Sequence, residues 1–345
     1  MTIRHRQQSD GIALIVAVIA VLVLSALAAG FALSMKVETR LAFNANAETQ
    51  LYWLGRSGVE VARWVLAQQR CPYDSLNQIW AGGAGADCET NGPLAGLSLD
   101  NYPVGEGSVA IKIIDLERKA NINTANAQEL QQALTLMGVD ASDISVVSDS
   151  IQDWIQPGDL PRVAGAKNAY YQGLDPPYDA KEAPMDDLSE LLLVRGVTPE
   201  MYWGGSATNH APATFQHRLG FGTAPGEAPN YAFGLVDVFT PISNGRININ
   251  TADANVLQLI PGVDADTAES IIRLRDDTPI QNLNQLAAAG INPQLAGQLG
   301  NFCGTRSATF EVHVTARVSL QTREFVAILS RNSPTDIRVL SFYWK

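Results

Sequence analysis

Apolar and polar positions divide the chain into segments of three different periods. From Gly11 to Met35 no charged residue interrupts an apolar run. That stretch is about two dozen residues long, and a helix needs roughly 20 to cross a bilayer. No proline occurs before Pro72, so the pattern predicts a helix that leaves the membrane and continues into water. In the continuation, Leu51, Leu54, Val61 and Val65, with Ala62 and Leu66 beside them, recur on one face at helical spacing. Trp53 and Trp64 lie in the same helix and are candidates to dock on a globular head, while Gly55 and Gly58 mark a bend or close packing. A helix from Ile12 to Gln69 would be roughly 85 Å long at about 1.5 Å per residue.

Beyond the helix the period becomes two. Ser108–Ile114 alternates apolar and polar residues as a half-buried strand does, and so do Thr309–Val318, Glu324–Ser330 and Arg338–Trp344. The last three predict a small antiparallel meander. A lone strand is not stable, so Ser108–Ile114 is expected to pair with the C-terminal strands across everything between them. From Asn121 to about Gly304 the period is helical, with interruptions. The fold class is therefore α+β: a long N-terminal helix on a small antiparallel sheet, with a large helical domain inserted between the first and later strands.

The helical insert echoes itself. Ala120-Asn121-Ile122-Asn123-Thr124-Ala125 recurs as Ile247-Asn248-Ile249-Asn250-Thr251-Ala252, and each copy precedes an apolar helix. Thr124 and Thr251 are the expected helix N-caps, since a hydroxyl can accept a backbone N–H that the first turn leaves unpaired. After the second copy, Leu257–Val263 and Ala268–Ile272 read as helix, tight turn, helix, which resembles a helix-hairpin-helix element. Such hairpins approach phosphate through glycine N–H groups, usually two. Here Gly262 stands alone, Asp264 and Asp266 would repel phosphate, and Arg273 and Arg275 lie beyond the turn.

Charge and residue counts narrow the function. A net charge of −11 argues against nucleic acid as a partner. The 345 residues leave room for an anchor and about two folded units. His5, His210, His217 and His313 are scattered without metal-ligand spacing, and Gly82–Gly85 lacks the lysine and helix of a phosphate loop. No enzymatic constellation follows from the spacing. Arg4, His5 and Arg6 before the apolar run place the N-terminus in the cytoplasm by the positive-inside rule. With the body outside, Cys71 and Cys88 can form a disulfide, against the alternative of three free thiols, and Cys303 would be unpaired and buried. Trp154, Tyr170, Tyr171 and Tyr178 are expected to pack a domain core. The segment 204–243 has no regular period. A secretory signal peptide competes for the N-terminus because Ala26-Leu27-Ala28 offers a cleavage motif, but the apolar regions of such peptides run about 7–15 residues.

The junction Gly11-Ile12-Ala13-Leu14-Ile15 resembles the processing site of type IV pilins and type II secretion pseudopilins. Further residues narrow the resemblance: Asp153-Trp154-Ile155, Gly165 with Tyr170-Tyr171, Pro177-Tyr178, Ser189-Glu190-Leu191 with Val194-Arg195-Gly196, and both Asn-Thr-Ala motifs. Together they resemble the K-type minor pseudopilins (the GspK family) over nearly the whole chain. The resemblance implies that a prepilin peptidase cuts after Gly11 and methylates Ile12. It implies a single-pass inner-membrane protein with its body in the periplasm, which joins the I- and J-type minor pseudopilins at the pseudopilus tip and initiates assembly for the export of folded proteins. Most pilins carry a glutamate where this chain has Val16, and its absence suits a subunit with nothing above it.

The implied boundaries are a leader over 1–11, a transmembrane helix over 12–35 and its periplasmic part over 36–70. The pseudopilin α/β core follows over 71–118 and 306–345, with an inserted α-domain over 119–305 in two SAM-like or helix-hairpin-helix-like halves. The family also implies calcium in the α-domain, for which Asp153, Asp159, Asp179, Asp187 and Glu190 are the candidate ligands. Gln156, Gly158, Lys167 and Asn168 stand where the family usually carries acid, and a lysine there opposes a cation. The alternative function is that of a membrane-tethered helix-hairpin-helix DNA-binding protein of the DNA-uptake type.

Overall fold

The computed structural model describes residues 10–89, 92–204 and 231–345. Arg4, His5 and Arg6, and most of the 204–243 segment, lie outside the described residues. Helix α1 runs unbroken over Asp10–Ala67. Its first half is exposed along its length, from Ile12 to Phe43. In its second half Leu51, Leu54, Ala62, Val65 and Leu66 are buried against a sheet. Trp53 and Trp64 do not dock: they are 62% and 43% exposed. Each follows a buried residue (Leu51, Ala62) by two positions, about 200° around a helix of 3.6 residues per turn, and so faces away from the sheet. Gly55 and Gly58 mark close packing. A Cβ on Gly55 would lie 2.4 Å from the ring of Phe325, and one on Gly58 2.4 Å from Val314 Cγ1.

In chain order the strands are β1 (Tyr102–Val104), β2 (Gly107–Asp115), β3 (Ala120–Asn121), β4 (Phe239–Thr240), β5 (Ile247–Asn248), β6 (Cys303–Gly304), β7 (Thr309–Val318), β8 (Gln321–Ser333) and β9 (Asp336–Trp344). The main sheet has the order β1-β2-β7-β8-β9. Strand β2 pairs antiparallel with β7, from Ser108 opposite Arg317 to Asp115 opposite Phe310. The long-range pairing expected from the period of two is thus present, and the helical unit is inserted between the two partners. The inward phases meet α1: Val109, Ile111 and Ile113 from β2, and Phe310, Val312, Val314 and Ala316 from β7, are buried. The expectation did not include β1, whose three residues contain Pro103 and are too few to display a period.

The insert has its own core, formed around Ile122, Leu130, Leu134, Ile151, Trp154, Tyr171, Leu191 and Leu235. Helices α2 (Ala127–Met137) and α3 (Ala141–Ile155) open it. Trp154, Tyr171 and Tyr178 pack together, with Trp154 and Tyr171 edge-on at 5.3 Å, as core aromatics do. Both Asn-Thr-Ala motifs are extended and form parallel two-residue ladders, β3 with β4 and β5 with β6. The expected threonine caps are corrected by the structure. Asn126 caps α2 in a capping box with Glu129, and the helix Ala254–Leu257 starts at Asp253. Thr124 instead donates back to the carbonyl of Asn121 at 3.3 Å, and Thr251 donates to the Asp115 carboxylate at 2.5 Å, each from a turn that ends before the helix begins.

The helix–sheet contact is testable at Gly58. Glycine to alanine favours a helix by about 1 kcal/mol, whereas overpacking a filled core costs about 1–3 kcal/mol. Val314 is fully buried, so Gly58→Ala should be destabilising on balance, by up to about 2 kcal/mol. Chemical denaturation of the detergent-solubilised chain measures it, and a more stable variant would contradict the packing described.

Candidate functional site

A structural subunit works through surfaces and through the joints that hold them, and this chain offers one of each. The surface is the first half of α1, whose apolar side chains from Ile12 through Leu33 and Met35 are all exposed. It is the one described helix long and apolar enough to cross a membrane. Val16 sits within it, 60% exposed.

The joint lies where the insert meets the sheet. Asp115 continues the inward phase of Val109, Ile111 and Ile113 at the end of β2, and Glu117 extends it by two more residues. Neither carboxylate reaches solvent: Asp115 is 2% and Glu117 0% exposed. One oxygen of Asp115 accepts from Asn248 Nδ2 at 3.1 Å, Thr251 Oγ1 at 2.5 Å and Ser307 Oγ at 2.7 Å, while the other accepts the N–H of Glu117 at 2.9 Å. Asn248 also donates to the carbonyl of Asp74 and to Ser307. Glu117 accepts from the N–H groups of Asn244, Ala308 and Thr309. The cation of the joint is Arg331, which binds the buried carboxylate of Asp74 and the carbonyl of Ser307, its guanidinium 4.8 Å above the ring of Phe310.

Asp115 and Glu117 are buried together, and the guanidinium of Arg331 is bound to Asp74, so desolvation favours their protonated forms. Desolvation pushes the Asp115 carboxyl up, with hydrogen bonds from Ser307 and Thr251 pulling the other way. Glu117 is pushed up to about 7, first by desolvation and then by the charge of Asp115. Asp74, Asp115, Glu117, Ser307 and Arg331 were not singled out from the sequence. The signal was present for two of them, since Asp115 and Glu117 are acids in phase with a buried strand face.

The second Asn of each motif performs the same clamp. Asn123 Oδ1 accepts the N–H of Met185 at 2.7 Å and its amide donates to the carbonyl of the same residue at 2.9 Å; Asn250 does both with Ile280, at 2.8 Å each. The helical hairpin is likewise committed internally. Asp264 caps the helix Ala265–Asp277 by accepting the N–H of Thr267 at 2.9 Å. Its charge covers the helix N-terminus that a phosphate would need. Arg275 is buried and donates to the carbonyls of Ile249 and Ala252. The hairpin thus holds the second motif in place.

The five candidate metal ligands are not brought into one set. Asp153 is buried against Arg162, Asp159 is exposed, and Asp179 accepts from Gln172. Asp187 caps the turn Leu188–Leu193, and Glu190 accepts from Lys181 and from the indole of Trp154. Burial pushes Glu190 up, but the hydrogen bonds from Lys181, the Asp186 and Asp187 N–H groups and Trp154 outweigh it and hold the carboxyl below its ordinary value. Among the described residues no three His, Cys, Asp or Glu side chains gather as a metal-holding group. Cys71 and Cys88 are joined by a disulfide with Cα atoms 5.6 Å apart. Cys303 is a buried free thiol, pushed up to about 12 by burial.

A long apolar helix laid on an antiparallel sheet, with a helical unit inserted between neighbouring strands, is a pseudopilin-like fold with an enlarged head. Known proteins agree with that class. The family model for type II secretion system protein K matches residues 110–203, and that for the helix-hairpin-helix motif matches residues 243–303. The type II secretion system protein K of Pseudomonas aeruginosa is 24% identical, covering 97% of this chain and 93% of its own length. That of Aeromonas hydrophila is 23% identical, covering 57% of this chain and 61% of its own length. The fold is similar to a chain in the crystal structure of the GspK-GspI-GspJ complex of enterotoxigenic Escherichia coli, with a TM-score of 0.61 at 17% identity, over 88% of this chain and 98% of the other. The chain is thus similar to type II secretion system protein K over nearly its whole length.

The joint predicts a pH dependence with a definite sign. Glu117 binds its proton more tightly when folded, its pKa raised from 4.5 to about 7. The resulting stabilisation is full below about pH 4.5 and is lost as pH rises through about 7. Melting temperature should therefore fall between pH 5.5 and 8, and Glu117→Gln, although less stable throughout, should flatten that slope. An equal slope in the variant would show that the joint is not the titrating element.

Proposed function

We propose that the chain is a minor pseudopilin of type II secretion that sits at the pseudopilus tip and starts its assembly. It would act with partners of the I and J type, as the related chain does in the GspK-GspI-GspJ complex. The observation that carries this reading is the helical unit inserted between β2 and β7, beside a helix whose apolar half is exposed among the described residues. The exposed apolar half of α1 supplies lateral packing with neighbouring helices, first in the lipid and then in the filament. The inserted unit adds bulk at the far end of α1, and such bulk would block a further subunit above. Val16 agrees with this position, because a buried carboxylate in lipid is costly unless paired, and a top subunit has no amine above it to neutralise.

The chain is read as a structural subunit of the inner membrane, with its N-terminus cytoplasmic and its body periplasmic. A prepilin peptidase would cut after Gly11 and methylate Ile12. The disulfide Cys71–Cys88 supports an oxidising compartment for the head. The committed state of the hairpin, with Asp264 on the helix N-terminus and Arg275 buried, disfavours the DNA-uptake alternative.

Two measurements test this reading. Mass spectrometry of the chain purified from cells with an active peptidase should give a first residue of methylated Ile12, and Gly11→Leu should leave the leader attached. A first residue after Ala28 would instead establish a signal peptide. In co-purification the mature chain should retain I- and J-type pseudopilins, with no salt-dependent shift of duplex DNA. The reverse outcome would favour the DNA-binding alternative.

A further inference from the structure

The last carbonyls of any helix lack intrahelical partners and carry the negative end of its dipole, so a cation is stabilising there. At the end of α3 that cation is Lys167. The residue is 5% exposed, and its ammonium donates to the main-chain carbonyls of Asp153, at 2.7 Å, and of Gln156. The Asp153 carboxylate, buried on the same turn, accepts the N–H of Arg162 at 2.9 Å and lies 3.6 Å from Arg162 Nε. Gly165 lets the loop close over it, since a Cβ there would lie 2.0 Å from Asp153 Oδ2. One residue further along α3, the indole of Trp154 binds Glu190, whose other oxygen lies 2.7 Å from the ammonium of Lys181. Lys181 also reaches Asp186 at 2.6 Å. Two oxygen-rich places flank the end of α3, and an ammonium fills each.

We propose that Lys167 and Lys181 are built-in cations that take the part of a divalent ion in the helical unit, so that this chain folds its insert without calcium. The residues do not fit the metal that the family resemblance implies. Calcium binds six to eight oxygens at about 2.3–2.6 Å. On the carbonyls of Asp153 and Gln156 it would occupy the volume of the Lys167 ammonium, so ion and lysine exclude each other. The remaining acids are engaged elsewhere, with Asp179 on Gln172 and Asp187 on its own turn. A tethered ammonium also needs no free ion, and its occupancy does not vary with the calcium concentration around it.

The test is thermal melting of the full chain in detergent, in EDTA and in millimolar calcium chloride, with calcium titration calorimetry alongside. The wild-type chain should melt at the same temperature in both conditions and take up no calcium. Lys167→Met removes the ammonium but keeps the side chain's bulk, and should lower the melting temperature by about 5–10 °C. Lys167→Asp replaces the cation with a carboxylate among carbonyl oxygens, and should make the melting temperature rise with calcium. Should the Lys167 variants fail to fold, Lys181→Ala serves as the milder case and should melt a few degrees lower, equally in EDTA and calcium. Stoichiometric calcium uptake by the wild-type chain, or a wild-type melting temperature several degrees higher in calcium than in EDTA, would overturn the proposal. So would unchanged melting of Lys167→Met.

Discussion

The head depends on the way a fully buried amide, Asn248, meets a buried acid, Asp115. Two separate cores, one of α1 and the sheet and one of the insert, touch where neither can offer only apolar surface. The chain leaves β2 for the insert and returns to β7 at this place, so backbone donors and acceptors accumulate there. Each must find a partner or cost about 1–3 kcal/mol. Asp115 gathers donors from the insert (Asn248, Thr251) and from the approach to β7 (Ser307). Glu117 gathers the N–H groups of Asn244, Ala308 and Thr309. These are directional contacts, so they fix how the insert sits on the sheet in a way that an apolar interface of equal area would not. The cost of the arrangement is desolvation, which raises the carboxyl pKa of both Asp115 and Glu117 while Arg331 pairs with Asp74.

The internal echo shows how one local design serves two purposes. In both copies the first Asn accepts the N–H two residues on, and the second Asn clamps a distant backbone amide from both sides. The copies differ in what the first Asn donates to. Asn121 reaches Ser243 within the insert, whereas Asn248 reaches Asp74 and Asp115 in the pseudopilin core. One copy therefore closes the insert on itself and the other fastens it to the sheet. The hairpin after the second copy belongs to the same device, since Arg275 reaches back to hold the carbonyls of Ile249 and Ala252. A fold element associated with nucleic acid has its donors turned inward.

Much of this was legible in the sequence where a period was long. The helix Asp10–Ala67 and the strands Thr309–Val318 and Asp336–Trp344 repeat one pattern over many residues, and their positions followed from it. The pairing of β2 with β7 followed from the instability of a lone strand. Failures came where one residue decided the outcome. Trp53 and Trp64 were read by size and not by angle, and angle puts them outside. Thr124 and Thr251 were read as caps because hydroxyls cap helices, but the turn closes before the helix starts and Asn126 does the capping. Lys181, which binds Glu190, and Lys167, which binds the carbonyls of Asp153 and Gln156, were placed by the fold and not by any period in the sequence.

The two halves of the molecule follow opposite rules, and the function depends on that difference. In the first half of α1 the apolar residues are exposed among the described residues, and such a surface is stable in lipid or against other helices. In the head the carboxylates of Asp115 and Glu117 and the amide of Asn248 are satisfied by groups of the chain itself. A subunit built this way presents one adhesive surface and one closed one. The glycines at 55 and 58 set the boundary between them, because they bring α1 so close to Phe325 and Val314 that no other helix could approach that face. Below residue 44, where Gln321 binds Asn44, the helix is bare all round; above it one face belongs to the sheet. The apolar surface left open to other helices is thus confined to the lower half.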